Sequence, residues 1–387
     1  MVFNYALGMR PAYLDNAATT APEPEVVDVI RHFLEIEYGN SGSRTHSYGS
    51  TAAAGVEAAR RQVAEVVDSG PEDVIFTSGA TEANNLAILG LANELLREGR
   101  SHVICSSIEH KAVLEPFERL QELGFETTII ECDSSGRISV EEVSKALRPN
   151  TGLVSIMHVN NETGCIQPID ELAARLESHD AWFHVDAAQG YGKELAMLRD
   201  KRVDLVSVSA HKIYGPKGVG ALISRARKGK SRPPLHPIII GGGQERGLRA
   251  GTLPVALIAG FGTAAKLCLE QHADRQEIVT ALSKQLSEFI EHANGEINGS
   301  REHAIPHILN ASFPGLDSEA FMVVTKDSVA VSNGAACSSE NYTHSHVLES
   351  MGISIDRITS AIRFSVSHRS SMPDLDQLGN LVSSFRL

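Results

Sequence analysis

The sequence predicts an α/β fold: a mostly parallel sheet with helices on both faces, followed by a smaller α+β domain. Three observations predict it. Apolar strand-like runs and periodic helix-like stretches alternate from about residue 74 to residue 223, the pattern of repeated β-α-β units. Several of those strands run into polar residues and then a glycine or a helix start, as the ligand-binding edge of such a sheet does. After about residue 260 the alternation gives way to one long helical stretch and then to shorter elements.

The elements follow in order. Val74–Thr77 reads as a strand, and Leu86, Leu89, Ala92 and Leu96 recur at helical spacing before Gly99, a stop signal. His102–Ser106 is the next strand, and Lys111–Leu123 a helix closed by Gly124. Thr127–Cys132 is a strand, and Ser139-Val-Glu-Glu142 has the spacing of a capping box opening a helix to Leu147. Leu153–Val159, Trp182–Ala187, Val203–Val208 and Gly220–Ile223 read as strands, with a helix over Pro168–Glu177. Ala256–His292 reads as one helical stretch that ends before Ala293-Asn-Gly295. These readings divide the chain into a large domain over residues 16–260 and a small one formed by residues 1–15 and 261–387.

Composition narrows the function classes. The hydrophobic fraction is 42%, ordinary for a protein that buries a core. A net charge of −13 argues against direct nucleic-acid binding. No apolar run has the length of a membrane span. The five cysteines form no C-x-x-C pair, which speaks against a zinc or iron–sulfur framework. With no signal peptide apparent, free thiols fit the cytoplasm. The basic run Arg225-Ala-Arg-Lys-Gly-Lys-Ser-Arg232 reads as a solvated loop, with a docking site for an acidic partner as the alternative.

The polar residues at the strand ends carry the chemistry. Ser78-Gly-Ala-Thr81-Glu82 enters a helix, whose free N–H groups, with a glycine and a hydroxyl beside them, suit a phosphate. His110 follows one strand, where a ring can stack or shuttle protons. Asn160 and Asn161 follow another. Asp186 lies among apolar residues, where a carboxylate is costly without a cation to face. Lys212 lies at the end of a strand in Ser209-Ala-His211-Lys212. There an ammonium can be desolvated, which frees the amine for Schiff-base chemistry. Ser209 and His211 sit close enough to reach the same phosphate. Together these are the requirements of pyridoxal phosphate, whose ring is an electron sink.

These stretches carry a resemblance. Tyr13-Leu-Asp-Asn-Ala-Ala-Thr-Thr20, Thr77-Ser-Gly-Ala-Thr-Glu82, Glu109-His-Lys-Ala-Val113, Val159-Asn-Asn-Glu162 and His184-Val-Asp-Ala-Ala-Gln189 occur in this order. They are followed by Ser209–Gly218, Gly241–Gly247, Arg249–Pro254 and Ser332-Asn-Gly-Ala-Ala-Cys337. The sequence resembles the class V pyridoxal-phosphate enzymes of fold type I, and among them the cysteine desulfurases of the NifS/IscS type. The resemblance implies that Lys212 holds the cofactor and that His110 stacks on its ring. Asp186 would keep the pyridine nitrogen protonated, and Gln189 would bond the phenolic oxygen. Ala80, Thr81, Ser209 and His211 would hold the phosphate, with Thr252 reaching the phosphate of a second subunit in a homodimer. Asn161 and Arg363 would grip the carboxylate of L-cysteine.

Cys337 decides the reaction that the resemblance implies. It follows a run of small residues suited to a mobile loop. Its thiolate would take sulfur from cysteine as a persulfide, leaving alanine, and pass it to an acceptor protein. That acceptor could serve iron–sulfur clusters, thiolated tRNA or phosphorothioate DNA. A transaminase or selenocysteine lyase of the same fold is the alternative enzyme, and Cys337 discriminates between them. His344 and His346 read as exposed polar residues at a helix start, with tuning of the Cys337 segment as the alternative. Cys165 reads as a buried filler.

Overall fold

The computed structural model describes residues 11–227, 229, 231–334 and 344–385. In chain order its elements begin with β1 (Ala12–Tyr13), α1 (Pro24–Glu35), α2 (Ser47–Val66), β2 (Val74–Thr77), α3 (Ala80–Arg97), β3 (His102–Ser106), α4 (Lys111–Glu122) and β4 (Glu126–Ile130). Then come α5 (Val140–Ala146), β5 (Thr151–Ser155), α6 (Ile169–Leu176), β6 (Trp182–Asp186), β7 (Leu205–Ser209), β8 (Gly220–Ser224), α7 (Val255–Glu270) and α8 (His272–His292). The remainder is β9 (Glu296–Ile297), β10 (Ile308–Ser312), α9 (Ser318–Thr325), β11 (Val329–Ala330), α10 (His346–Ser350), α11 (Ile355–Thr359), β12 (Ala361–Ser365) and α12 (Leu375–Ser384).

Seven strands form one sheet in the order β2-β8-β7-β6-β5-β3-β4. The pairs β4–β3, β3–β5, β5–β6 and β6–β7 are parallel. Only β8 is reversed, antiparallel to both β7 and β2. All residues of β3, β5, β6, β7 and β8 are buried, as strands covered on both faces must be. One core lies between the sheet and α2, α6 and α7, and a second between the sheet and α3 and α4. Edge strand β4 is partly exposed, and it begins one residue earlier and ends two residues earlier than its apolar run suggests. β5 likewise ends at Ser155, although His158 N–H still donates to Asp186 O at 2.8 Å.

Polar side chains inside the sheet pair across it. His184 bridges the hydroxyls of Ser155 (2.7 Å) and Ser207 (2.9 Å), and burial pushes its pKa down to about 3. His102 similarly joins Thr151 (2.8 Å) and Thr128 (2.9 Å). These satisfy groups that would otherwise cost free energy in the core.

The helical stretch that the sequence presents as continuous is two helices. Gln271, at φ −111° and ψ 14°, separates α7 from α8. α7 belongs to the large core through Val255, Ile258, Phe261 and Cys268. α8 belongs to another, through Val279, Leu286, Phe289 and Ile290, which it shares with Leu14, Phe313, Phe321 and Phe364. We therefore propose that the two domains divide at Gln271, with β1 and the antiparallel β12-β10-β9 sheet on the smaller side. No glycine or proline marks the break, which is why periodicity alone runs through it.

The basic run is only partly a solvated loop: Ala226, Gly229, Ser231 and Arg232 are exposed, but its arginines are paired. Arg225 is buried and donates to the carbonyls of Val67, Leu198, Asp200 and Val203. Arg227 pairs with Asp204 and lies over the Trp182 ring, and Arg232 pairs with Asp73 at 2.5 Å. The positions between them, 228 and 230, lie outside the described residues.

Two predictions follow from this packing. A Cβ on Gly220 would fall 2.4 Å from Val208 O and 2.7 Å from the Cα of Gly79. Gly220→Ala should therefore cost about 1–3 kcal/mol, read as a lower urea midpoint. His184 stays neutral in the fold far below pH 6.5, whereas the unfolded chain protonates there, so the unfolded state binds more protons between about pH 6.5 and pH 3. Stability thus falls on acidification through that window. The fall should be shallower in His184→Gln, as followed by the melting temperature at pH 7, 6, 5 and 4.

Candidate active site

The carboxyl ends of β2, β3, β5, β6 and β7 open on one cavity of about 520 Å³. At one end β2 leads through Ser78 and Gly79 into α3. Gly79, in the N-cap position, is extended at φ 160°. The first-turn N–H groups of α3 have no partner within the helix and carry its positive dipole end. Glu82, in this first turn, accepts from Arg249 Nε at 2.9 Å and reaches back to the Ser78 N–H at 2.8 Å. Burial would raise its pKa, but these donors win and keep the carboxyl charged below its usual range. Thr81, Ser209, His211 and Lys217 complete this end. Burial, with Lys212, Lys217 and Lys193 nearby, pushes the His211 pKa down to about 4, so its ring is neutral. Gly220, pairing with Thr77 and Ser209, brings the β8 backbone close behind the cradle.

Asp186 ends β6. Its Oδ2 accepts from Asn84 Nδ2 at 2.7 Å and its Oδ1 from the Ala188 N–H at 2.9 Å. Asp186 is 5% exposed and forms no ion pair among the described residues. This buried acid lining the cavity suits a cationic ring nitrogen. Asn84 was not singled out from the sequence; its signal is its place one helical turn after Thr81.

His110 caps α4 through Nδ1, which accepts from the Ala112 N–H at 3.0 Å. Its proton in the neutral ring is therefore on Nε2. Burial first, and then the charges of Lys212 and His346, lower its pKa, while Asp186 opposes them. The neighbouring Glu109 is buried entirely, and burial raises its carboxyl to about 8 despite bonds from Ser106 Oγ and the Met157 N–H. His346 is not merely an exposed helix start. It is half-buried, and its Nε2 bonds the Glu109 carbonyl at 2.9 Å. His344 is exposed.

Lys212 follows β7 in a 3₁₀ turn, Ala210–Lys212. Its Nζ donates to Ala17 O (2.5 Å) and Ala18 O (2.8 Å), and Gln189 Nε2 also donates to Ala17 O (2.8 Å). The small sheet holds this alanine pair in place: Ala17 N–H donates to Ser365 Oγ at 2.9 Å and Asn16 Nδ2 to Ser365 O at 2.8 Å. From the same sheet Arg363, 1% exposed, donates to Asp15 Oδ1 at 2.8 Å and Asn161 O at 2.9 Å. Its Nε is buried and meets no partner among the described residues. Arg363 and Asn161 line the cavity together.

The cavity thus gathers Ala80, Thr81, His110, Asn161, Asp186, Gln189, Ser209, His211, Lys212 and Arg363. Thr252 does not line it and is exposed. Cys337 lies outside the described residues. On either side of that segment, Ser345 Oγ donates to Glu162 Oε2 at 2.5 Å, and Gly334 packs against the same Glu162 side chain. Burial drives the thiols of Cys132 and Cys268 to about 11 and Cys165 to about 12, and Cys105 goes well above its ordinary value. None of these four offers a thiolate near neutrality, and Cys165 is a buried filler as read. The donor set fits pyridoxal phosphate: an anion cradle, a buried acid without a cation, and a lysine share one cavity of suitable size.

The comparisons agree with this chemistry. The family model described as aminotransferase class-V matches residues 12–378. The mitochondrial cysteine desulfurase of Saccharomyces cerevisiae is 41% identical over 383 residues, covering 98% of this chain and 76% of that one. Cysteine desulfurase IscS of Anaeromyxobacter dehalogenans is 43% identical over 369 residues, covering 95% and 90%. Among solved structures, DndA from Streptomyces lividans superposes with a TM-score of 0.81 at 48% identity, covering 93% of this chain and 100% of that one. A NifS-like protein superposes with a TM-score of 0.88 at 33% identity, covering 97% and 99%. The fold, the cavity and these relatives agree: this chain belongs to the class V aminotransferase family and is a pyridoxal-phosphate-dependent cysteine desulfurase.

Proposed function

We propose that the chain converts L-cysteine to L-alanine through a persulfide on Cys337, which it passes to a sulfur-acceptor protein. The acceptor supplies iron–sulfur cluster assembly, tRNA thiolation or DNA phosphorothioation. The observation that carries the reading is the convergence of Lys212, Asp186, His110 and Arg363 on one cavity. Bound there, pyridoxal phosphate supplies a conjugated ring that accepts the electron pair left at the substrate α-carbon.

The chain's own residues do the rest. The α3 N-terminus, Ala80, Thr81, Ser209 and His211 would hold the phosphate, and Asp186 would face the ring nitrogen. Neutral His110 offers a flat uncharged face for stacking, and Gln189 a hydrogen-bond donor. Lys212 would hold the cofactor covalently and then move the α-proton at its Nζ. Arg363, whose fork is already oriented by Asp15, would meet the substrate carboxylate beside Asn161. The Cys337 thiolate attacks the cysteine sulfur. An S–S bond forms as the Cβ–S bond breaks, and that bond's electron pair stays on the carbon side. Protonation there gives alanine, so one cysteine and one thiol become one alanine and one persulfide.

The same reading makes the enzyme a cytoplasmic homodimer in which Thr252 completes the partner's phosphate site. Ile36 (60% exposed), Tyr38 (67%) and Ile240 (88%) are large apolar side chains left at the surface, which is what supports an association face. Ile240 leads directly into the glycine-rich loop that ends near Thr252, and Arg249 ties that loop to the first turn of α3.

Purified protein loaded with pyridoxal phosphate and given L-cysteine and a reductant should release alanine and sulfide in equal amounts. Cys337→Ser should lower both by roughly 100-fold or more while leaving the visible cofactor band unchanged. Full activity in that variant refutes the persulfide. Arg363→Lys replaces a planar fork by a point charge. It should raise KM for cysteine by roughly tenfold, about 1.4 kcal/mol, with the band again unchanged.

A further inference from the structure

We propose that Lys193 is a positioning residue for the active site: it orients the Gln189 amide with its N–H side toward the cavity and sets a buried positive charge behind it. The inference rests on the reading that Gln189 meets the phenolic oxygen of pyridoxal phosphate.

Lys193 is placed with care. It follows Asp186-Ala-Ala-Gln189-Gly-Tyr-Gly, a turn in which the Tyr191 hydroxyl donates to Val63 O at 2.8 Å and Gly192 takes φ +75°. A side chain at position 192 would meet Cys268 and Ile213 within 3.1–3.2 Å, so this glycine also lets α7 approach. The Lys193 N–H donates to Gly190 O at 2.9 Å, and its own carbonyl takes Gln276 Nε2 (2.6 Å) and His272 Nε2 (3.2 Å) from α8. The residue is 6% exposed, and no carboxylate pairs with its ammonium among the described residues. The one acceptor that its Nζ meets there is Gln189 Oε1 at 3.4 Å.

A buried lysine without a carboxylate is expensive, and an apolar side chain of similar volume would pack there at lower cost. The titratable and charged groups around it are Lys212, Arg363, the Cys268 thiol, His211, His272 and His307. Burial, and then the Lys212 charge, lower its pKa to about 7. The surroundings therefore oppose this charge, and packing does not account for the residue.

Hydrogen-bond chemistry does. An ammonium can only donate, and a glutamine amide has one accepting side. With Oε1 turned to Lys193, Nε2 gives one hydrogen to Ala17 O at 2.8 Å, and a second N–H remains. Gln189 lines the cavity, so this is the side available to an anionic oxygen there. The flipped amide would set its NH₂ against the ammonium and its oxygen against that anion. Lys212 Nζ shares Ala17 O, so the two lysines are joined through one amide and one carbonyl.

The test reads the bound cofactor, with protein reconstituted with pyridoxal phosphate and its visible absorbance titrated with pH. Below its pKa of about 7, Lys193 sets a positive charge behind the cofactor, which opposes proton uptake there and lowers the midpoint. Lys193→Met should raise the midpoint by roughly one pH unit, and Lys193→Arg should hold it near the wild-type value. An unmoved midpoint in Lys193→Met overturns the inference, as does an arginine variant that behaves like methionine. Should the methionine variant not fold, Lys193→Gln is neutral and polar and must show the same rise. Gln189→Leu separates the two readings. If it leaves the band and midpoint untouched, the placement of Gln189 fails; if it shifts them while Lys193→Met does not, only the role of Lys193 fails.

Discussion

In the seven-stranded sheet β8 alone runs against its neighbours, so the carboxyl ends of the other six strands share one edge. That constraint makes the site. Thr81, His110, Asn161, Asp186 and Lys212 follow or end different strands, and more than a hundred residues separate the first from the last. Rigid strands bring them to one place without any loop having to fold precisely. The reversal of β8 has its own use. Gly220, its first residue, starts at this same edge and lets the backbone pass close behind Gly79. The strand thus supports the anion cradle from behind.

The electrostatics of the cavity differ from those of the whole chain. The chain carries a net charge of −13, yet Lys212, Lys217 and Arg363 line the cavity and Lys193 lies behind it. Its histidines are held neutral by burial, and Glu109 beside it is protonated near neutrality. Among the described residues Asp186 is the one carboxylate lining the cavity. A concave basic site on an acidic protein concentrates anions where they are used. It therefore suits a cofactor phosphate and a substrate carboxylate, while the acidic exterior does nothing to gather polyanions.

What the sequence discloses and what it hides divide along physical lines. Strands buried on both faces appear as apolar runs, so β2, β3, β6, β7 and β8 lie within two residues of where those runs place them. Functional residues within a few positions of a strand end are legible for the same reason. Strand direction is not, because the period of an antiparallel strand is the same. The break at Gln271 has no glycine or proline to signal it; it exists because α7 and α8 belong to different cores. The Arg363–Asp15 pair spans 348 positions, and Asn84 and Lys193 act through other side chains. Such partners become visible only once the chain is folded. The basic run shows the reverse error: its arginines look solvated by composition, but carbonyls and carboxylates capture them.

The choice of nucleophile can be argued without any relative. A sulfur nucleophile must be a thiolate, and burial in apolar surroundings makes a thiolate costly. Cys105, Cys132, Cys165 and Cys268 are all raised by that effect. The packing that makes them good core residues therefore removes them from the chemistry. The fifth cysteine lies outside the described residues, in a segment flanked by Gly334 and, after His344, by Ser345, both of which meet the same side chain, Glu162. Glu162 follows Asn161, which lines the cavity, and sits beside the guanidinium of Arg363 closely enough for the two charges to act on each other. The described chain on both sides of that segment is thus held to Glu162, next to a residue that lines the cavity.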